Sequence, residues 1–228
     1  MKVEFDFPRK DAAELGLIFL PGAGDAAAEF RHQGFIDELR RRGIDADVAL
    51  ADARAERYLA RDIVAGLHQS AVTPLVARGV RRLWLAGVSL GGLGAMLYGW
   101  KGAASIEGLL LLAPYLTARG TVARILAAGG LPAWAPGAGD DPEEAGLLRW
   151  LARGDVGRAS LPVMFLGCGL SDRFAPTSRL LAAQLPLRHV VTADGAHDWP
   201  TWRTLWDALL DREPFSTPLR TPTRAVHG

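Results

Sequence analysis

The sequence predicts an α/β fold, in which helices on both faces cover a mostly parallel central sheet. Short, nearly continuous apolar runs alternate along the chain with longer amphipathic stretches, as is typical of buried parallel strands joined by helices. One serine lies in the glycine-rich segment G-V-S-L-G, between an apolar run and a helix-like stretch. The 228 residues, of which 49% are hydrophobic, suffice for one globular domain with a large core.

Six apolar runs are assigned to strands of this sheet: residues 15–20, 45–51, 83–86, 105–113, 161–167 and 187–192. Apolar side chains at helical spacing predict a helix over residues 29–42, stopped by Gly43, and a last helix over residues 199–210. Residues 58–78 are predicted to be helical in their first part, with a break or kink at Pro74.

Two segments depart from this alternation. Residues 116–159 are rich in Ala, Gly and Pro and carry Trp134 and Trp150. We interpret them as a small cap over the sheet, the alternative being a long surface excursion. Residues 213–228 are rich in Pro, Thr and Arg, and we expect them to be disordered. Residues 1–212 are therefore expected to form a single domain.

Composition argues against several classes of protein. The formal net charge is +1 and the charges are interspersed, which disfavours a nucleic-acid or membrane-surface partner. With a single cysteine, Cys168, the chain has no intrachain disulfide framework, and this residue is expected to be buried and inert. We find neither a secretory signal nor an apolar run long enough to span a bilayer, so a cytoplasmic protein is expected.

Ser89 has the setting of a nucleophile elbow, a sharp turn between a strand and a helix. Such a turn holds the serine in a strained backbone conformation, so that its hydroxyl projects above the edge of the sheet. Gly87 and Gly91 lack the Cβ atoms that would collide where strand and helix approach. The alternative is a glycine-rich turn in which Ser89 only caps the following helix.

A nucleophilic serine needs a base that removes its proton. Of the five histidines, only His197 lies in a loop that follows the last predicted strand, in the segment G-A-H-D-W. Since sites in open parallel sheets form at the carboxyl ends of the strands, its imidazole is predicted to reach Ser89. The alternative is a turn histidine that caps the last helix.

The acid that orients this base is expected in a loop after an intermediate strand. Asp172 lies in such a loop, and the resulting chain order of serine, aspartate and histidine is the one expected for this fold. Asp194 is a rival only three residues before His197, whereas Asp198 is adjacent to the histidine and poorly placed to reach its Nδ1. Asp172 could alternatively cap a helix or pair with Arg173.

Acyl transfer also needs donors for the oxyanion. The backbone N–H of Leu90, directly after the serine, is one candidate. The other is expected in the loop P-G-A-G-D after the first predicted strand, from Ala23 or Gly24, because proline has no N–H. The alternative for this loop is a plain glycine-rich turn.

Together these motifs resemble the α/β-hydrolase superfamily over about residues 15–210. L-P-G-A-G-D is similar to the L-H-G-x-G-D loop of the carboxylesterase and acyl-protein thioesterase group, although Pro21 replaces the histidine; this likeness implies Ala23 as the oxyanion donor. G-A-H-D-W-P-T-W is similar to the G-x-H-[DE]-W-x-x-W segment of small bacterial esterases of the esterase D type. Only residues 2–7 match the superfamily's first, antiparallel strands, which implies a minimal sheet of six or seven strands.

The candidate triad and the resemblance together predict a serine hydrolase that cleaves carboxylic esters through an acyl-enzyme, without metal or organic cofactor. The apolar character of the expected pocket favours short or medium acyl chains. The small-molecule substrate would lie in an apolar pocket without an evident basic clamp, although Arg119 and Arg173 could contribute. A thioesterase with the same triad and a non-catalytic ligand-binding protein of this fold both remain alternatives. The residues expected to line the pocket are Gly24, Leu116, Trp134, Leu147 and Trp199.

Overall fold

The computed structural model describes residues 1–102, 104, 106–153 and 162–216, and it confirms the predicted α/β class. Across these residues the sheet has seven strands in the order β1-β3-β2-β4-β5-β6-β7. Strand β1 pairs antiparallel with β3, and all other neighbours are parallel. The strands are β1 (Val3–Asp6), β2 (Leu15–Leu20), β3 (Ala46–Ala51), β4 (Arg82–Val88), β5 (Gly108–Leu112), β6 (Val163–Gly169) and β7 (Val190–Ala193).

Helices cover both faces of this sheet. They are α1 (Glu29–His32), α2 (Phe35–Arg41), α3 (Ala55–Leu59), α4 (Ile63–Leu67), α5 (Thr73–Arg78), α6 (Leu90–Lys101), α7 (Arg119–Ala127), α8 (Pro142–Ala152), α9 (Ala175–Ala182) and α10 (Trp199–Leu210). A π-helical turn, His68–Val72, joins α4 to α5, and short 3-10 turns lie at Leu131–Ala133 and Leu187–His189.

Alternating side chains of the inner strands enter two separate hydrophobic cores. In β4, Leu83 and Leu85 belong to the core shared with α4, α6 and α8, whereas Trp84 and Ala86 belong to the core shared with α2 and α10. Each fully buried leucine contributes about 1.5–3 kcal/mol relative to an exposed one. Because both faces are packed, functional groups have room mainly at the ends of the strands.

The strand boundaries follow the apolar runs closely. β2 and the last helix, α10, have the predicted bounds. Residues 187–189 form a 3-10 turn instead of the start of the last strand, so β7 begins at Val190. The predicted strand starts at residues 105 and 161 lie outside the described residues.

The single helix predicted over residues 29–42 is wrong. The structure has two helices there, α1 and α2, separated at Gly34. Gly34 has a φ of 75°, in the left-handed region that glycine adopts without a Cβ clash. The apolar spacing continues across the break because Phe30, Phe35 and Leu39 all enter the same core.

Pro74 does not break the helical segment that precedes β4. Over His68–Val72 the hydrogen bonding changes from the α to the π pattern, and Pro74 then lies in the first turn of α5. The wider π turn directly before Pro74 is where the hydrogen-bond pattern adjusts to the missing proline N–H, so the helical segment continues. The interruption comes earlier, between α3 and α4, where Arg61 has a φ of 56°.

The segment for which a cap is predicted carries α7 and α8. Trp134, Leu147 and Trp150 are at most 9% exposed and belong to the core beneath α6. In the described part of this segment, α8 contacts α6 and α7 contacts α9. Residues 154–159 lie outside the described residues, and the cap stays a prediction.

The buried position of Phe215 contradicts part of the prediction that residues 213–228 are disordered. Its ring is buried 4.9 Å from the ring of Trp84, so it closes the end of one core. The prediction of disorder is wrong at this residue because an aromatic side chain in a polar segment still has apolar surface to bury. Residues 217–228 lie outside the described residues.

Candidate active site

Ser89 lies at the turn between β4 and α6, with φ 50° and ψ −114°. A Cβ on Gly87 would lie 2.4 Å from the carbonyl oxygen of Gly91, and a Cβ on Gly91 would lie 2.1 Å from that of Leu20. Real Cβ atoms do not approach backbone so closely, so both positions require glycine. The turn therefore has the sharp, strained geometry expected of a nucleophile elbow.

The structure brings Ser89, His197 and Asp172 together at the carboxyl ends of β4, β6 and β7. His197 Nε2 lies 3.0 Å from Ser89 Oγ, and His197 Nδ1 lies 2.8 Å from Asp172 Oδ2. A neutral imidazole protonated at Nδ1 satisfies both contacts, since it donates to the carboxylate and accepts from the hydroxyl. The other carboxylate oxygen of Asp172 accepts a 2.7 Å hydrogen bond from the backbone N–H of Phe174.

Two aromatic rings fix the imidazole of His197. Phe174 packs edge-on against it at 4.8 Å between ring centres, and Trp202 does so at 5.0 Å. The side chains of His197 and Asp172 are 9% and 0% exposed. The hydrogen-bonded pair is thus shielded from water, which strengthens its electrostatic interaction.

The rival carboxylates lie elsewhere. Asp198 caps α10, because its Oδ1 accepts from the backbone N–H and the hydroxyl of Thr201. These hydrogen bonds lower the pKa of the Asp198 carboxyl. Asp194 is exposed and forms no ion pair or hydrogen bond through its side chain with any residue in the described ranges. Of the three carboxylates, Asp172 alone contacts the imidazole within the described part of the chain.

Two backbone N–H groups beside Ser89 are free to bind an oxyanion. Those of Ala23 and Leu90 donate to no other residue in the part of the chain described here, and both residues line the cleft that contains Ser89. Gly22 and Asp25 close the loop after β2 with a 3.3 Å backbone hydrogen bond. This turn brings the Ala23 amide to the same end of the sheet as the serine.

The cleft that contains Ser89 has a volume of about 550 Å³. Trp199 lines it as predicted, whereas Gly24 lies in an adjoining recess with Asp25 and Asp52. Leu116, Trp134 and Leu147 do not line it, which corrects their predicted place. They are buried in the core below α6, because apolar side chains of a segment packed on the domain turn inward.

Several cleft residues are not predicted from the sequence, among them Asp25, Tyr115 and Phe174. Tyr115 follows β5 just as Ser89 follows β4, and its N–H donates to the Ser89 carbonyl oxygen at 2.9 Å. Its place after a strand is the signal that could have identified it. Phe174 lies two residues after Asp172, but nothing local indicates that its ring contacts the imidazole.

A second cavity of about 370 Å³ adjoins the cleft at Leu90 and Tyr115. Its floor is apolar, from Leu93 and Leu97 of α6, and we call it the apolar recess. At its edge Glu144 accepts a 2.6 Å hydrogen bond from the Thr117 hydroxyl. Burial raises the pKa of Glu144, and burial together with this nearby carboxyl raises that of the Tyr115 phenol.

Cys168 is a buried free thiol on β6. Burial, with the nearby Asp172 carboxylate, raises its pKa and so disfavours the reactive thiolate. Among the described residues, no group of three or more His, Cys, Asp or Glu side chains is arranged to hold a metal ion. Within the same ranges, no helix combines the length and apolarity needed to cross a bilayer.

The structure is similar to several solved enzyme structures. A hydrolase from Pseudomonas aeruginosa PA01 gives a TM-score of 0.58 at 19% identity, over 92% of each chain. The thermophilic carboxylesterase EstE1, cloned from a metagenomic library, gives 0.61 at 18% identity, over 91% of this chain and 81% of that one. A ferulic acid esterase gives 0.57 at 14% identity, over 91% and 96%.

The fold is that of the α/β-hydrolases. At sequence identities of 14–19%, the similarity to these structures establishes only the fold. The sequence itself matches no protein-family model and no curated protein. Within the described residues, β1 is the one antiparallel strand of this sheet. Of the six- and seven-stranded sheets that the sequence allows, the described residues form the seven-stranded one.

Proposed function

We propose that the protein is a serine hydrolase that cleaves carboxylic esters. The observation that carries the proposal is the chain of two hydrogen bonds from Ser89 to His197 and from His197 to Asp172, at 3.0 and 2.8 Å. It starts from a serine in a strained turn, which is where a hydrolytic nucleophile must lie. The likeness to esterase structures supports the same reaction class.

In this mechanism Ser89 Oγ attacks the acyl carbonyl while His197 Nε2 takes its proton. Asp172 keeps the imidazole in the required tautomer and stabilises its charged form. The N–H groups of Ala23 and Leu90 bind the developing oxyanion, and each such donor is worth about 3–4 kcal/mol. His197 then protonates the departing alcohol, and it later activates the water that releases the acid from the acyl-enzyme.

We place the acyl chain in the apolar recess, because this cavity adjoins the cleft directly at Leu90. Its leucine floor disfavours polar groups, which would lose hydrogen bonds to water, although charged side chains also line the cavity: Arg61, Asp141, Glu143 and Glu144. The recess is at the small end of ligand pockets, which span about 300–1,000 Å³. A short or medium acyl chain therefore suits it better than a long one.

The proposal is tested by hydrolysis of p-nitrophenyl butyrate by the wild type and by Ser89→Ala. We expect the variant to lose at least about a thousandfold in kcat, since the nucleophile carries the covalent step. Ser70→Ala, which changes a serine of the π-helical turn, is the matched control and should keep full activity. Equal activity of Ser89→Ala and wild type would contradict the mechanism.

The same assay separates the alternatives of a thioesterase and a binding protein. Turnover of p-nitrophenyl esters is compared with that of acyl-CoA and acyl-protein thioesters. We expect oxygen esters to be preferred. A clear preference for thioesters would retain the triad and change the substrate class, and no turnover of either class would favour a binding protein.

A further inference from the structure

We propose that the leaving group of the substrate carries an oxyanion, a carboxylate or a phosphate, and that Arg119 and Arg173 bind it beside Phe174. This inference rests on the proposed ester hydrolysis and adds a substrate class to it. From the sequence we expected a pocket without an evident basic clamp, and the proposed site differs from that expectation.

The mechanism sets the direction in which the leaving group points. His197 must protonate the departing oxygen, so the leaving group lies on the imidazole side of Ser89. On that side the Phe174 ring packs at 4.8 Å from the ring of His197 and lines the cleft. Trp202 packs against the same imidazole at 5.0 Å and also lines the cleft. Of the directions that these two rings leave for the leaving group, the one along Phe174 leads to the two arginines.

Both arginines stack on this same ring. The guanidinium carbon of Arg119 lies 5.3 Å from the ring centre of Phe174, and that of Arg173 lies 4.9 Å from it. Neither guanidinium forms an ion pair or a hydrogen bond with any residue in the described ranges. Contact with the ring favours these positions of the guanidinium groups, and their N–H donors have no acceptor among the described residues. Such a fork of donors fits a carboxylate or phosphate.

A third cavity of about 280 Å³ joins the cleft at Arg173 and Phe174. Its walls are apolar, with Val122 and Leu126 of α7 on one side and Pro176 of α9 on the other. The two guanidinium groups also line it. The site thus suits an alcohol with an apolar body and an anionic substituent.

The charges around the cleft are arranged asymmetrically. Asp25, Asp52, Glu56 and Arg54 line the recess beyond β2 and β3, and the Arg54–Asp52 ion pair at 2.9 Å leaves this side with two net negative charges. The two arginines, in contrast, follow β5 and β6. The strand order places these groups on opposite sides of β4, and hence of Ser89. An anionic substituent is therefore repelled from one side and attracted to the other.

No carboxylate within the described residues neutralises the basic side. Asp172, the residue before Arg173, is engaged by the imidazole, and Asp198 of the cleft wall is engaged by Thr201. Arg119 also lies in the first turn of α7, which holds no acidic residue. The helix dipole disfavours a cation there and would further stabilise a bound anion.

The test uses two matched esters, m-carboxy-p-nitrophenyl butyrate and its neutral analogue m-carbamoyl-p-nitrophenyl butyrate. The readout is the ratio of kcat/KM for the anionic ester to that for the neutral one. We expect this ratio to fall about tenfold in Arg119→Gln and in Arg173→Gln, as for the loss of one charged hydrogen bond. Arg188→Gln, an exposed arginine before β7 at the other end of the strand, is the matched control and should keep the wild-type ratio.

An unchanged ratio in both variants would overturn the proposal. A second pair, mono-p-nitrophenyl adipate and its terminal amide, carries the charge on the acyl side instead. If the variants lower only this second ratio, the assignment to the leaving group is wrong. If the wild type hydrolyses neither member of either pair, the proposed hydrolase activity has failed, which is a distinguishable result.

The two oxyanions are separated by inhibition of the neutral ester's hydrolysis by benzoate and by phenyl phosphate. The inhibition constant of the favoured anion should rise about tenfold in Arg119→Gln. A constant that rises only for benzoate assigns the site to carboxylates, and one that rises only for phenyl phosphate assigns it to phosphates. If neither constant changes, the proposal is overturned.

Discussion

The backbone of Ser89 is held in its strained conformation by three hydrogen bonds. Its N–H donates to Leu112 at 2.9 Å, and its carbonyl oxygen accepts from Gly92 at 3.0 Å and from Tyr115 at 2.9 Å. A non-glycine residue in such a conformation costs about 1–3 kcal/mol. Because two of these bonds reach the end of β5, the neighbouring strand fixes the position of the proposed nucleophile.

Asp172→Asn should reduce kcat for p-nitrophenyl butyrate by about 10⁴-fold, as known for such triads. An amide nitrogen can donate to Nδ1 of His197, which would select the tautomer that cannot accept the Ser89 proton. The fold should persist because the substitution keeps the shape of a fully buried side chain. The measurement is kcat together with thermal unfolding of the same sample.

Asp194→Asn is the control for this variant, since Asp194 lies in the loop of His197 and is exposed. It should retain the wild-type rate within about twofold, because an exposed carboxylate contributes little. A loss in Asp194→Asn that equals the loss in Asp172→Asn would contradict the assignment of the acid.

The proposed triad residues could be identified from the sequence because each lies in the turn or loop that follows a predicted strand. Strand ends can be read from apolar runs, and parallel topology brings them to one edge. The pocket could not be identified in this way. Leu116, Trp134 and Leu147 are apolar like pocket residues, but whether such a side chain faces the cleft or the core depends on tertiary packing.

At the scale of elements, a cluster of charges joins α2 to α10, the helix that follows His197. Glu38 of α2 is 3% exposed. Its carboxylate pairs with Arg41, with Arg42 at 2.6 Å and with Arg203 of α10 at 3.0 Å. The cluster anchors α10, which begins two residues after His197, so its integrity bears on the position of the imidazole.

This cluster predicts acid sensitivity. The hydrogen bond from Arg41 lowers the pKa of Glu38 to about 2, against the effect of burial and with the help of Arg42, from an ordinary value of 4.5. The ionised Glu38 carboxylate therefore stabilises the folded state fully above pH 4.5, and this stabilisation is lost as the pH falls toward 2. It amounts to about 1–2 kcal/mol of the free energy of unfolding, less than the full pKa shift would give, because Arg41 is 69% exposed and water screens its charge.

Urea unfolding of the wild type and of Glu38→Gln, measured between pH 7 and pH 2, checks this prediction. The variant should be less stable at pH 7, and the difference should shrink as the pH falls below about 4.5. Glu14→Gln, at an exposed position before β2, is the control and should follow the wild-type curve. A difference that stays constant with pH would contradict the lowered pKa.

The helix boundaries show where sequence patterns stop being informative. The spacing of apolar residues over 29–42 is compatible both with one continuous helix and with two helices, α1 and α2, separated at Gly34. The spacing therefore does not distinguish between them. Likewise, the sequence does not reveal that a π-helical turn places Pro74 in a first turn. Both outcomes depend on how the segment packs against the sheet, which local propensity does not specify.

At the scale of the whole molecule, the cavities around Ser89 assign opposite sides to the two halves of the ester. The apolar recess lies between α3 and α8 and takes the acyl chain in our proposal. The basic side lies between α7 and α9 and takes the leaving group. The parallel sheet makes this division possible, because loops from different strands meet at one edge.

Ala55→Trp should shorten the preferred acyl chain. Ala55 is exposed and lines the apolar recess, so an indole there would fill part of its volume. The ratio of kcat/KM for p-nitrophenyl octanoate to that for p-nitrophenyl acetate should fall about tenfold, as for a few methylene groups expelled from an apolar site. Ala183→Trp, at an exposed position after α9, is the control, and an equal fall in both variants would contradict the assignment.

Reaction with a fluorophosphonate, followed by mass spectrometry of the peptides, tests the central claim most directly. Such reagents phosphonylate a serine only when a base activates it. The account predicts one adduct, on Ser89, which is absent in His197→Ala. A wild-type protein that stays unlabelled, or an adduct on a different serine, would contradict it.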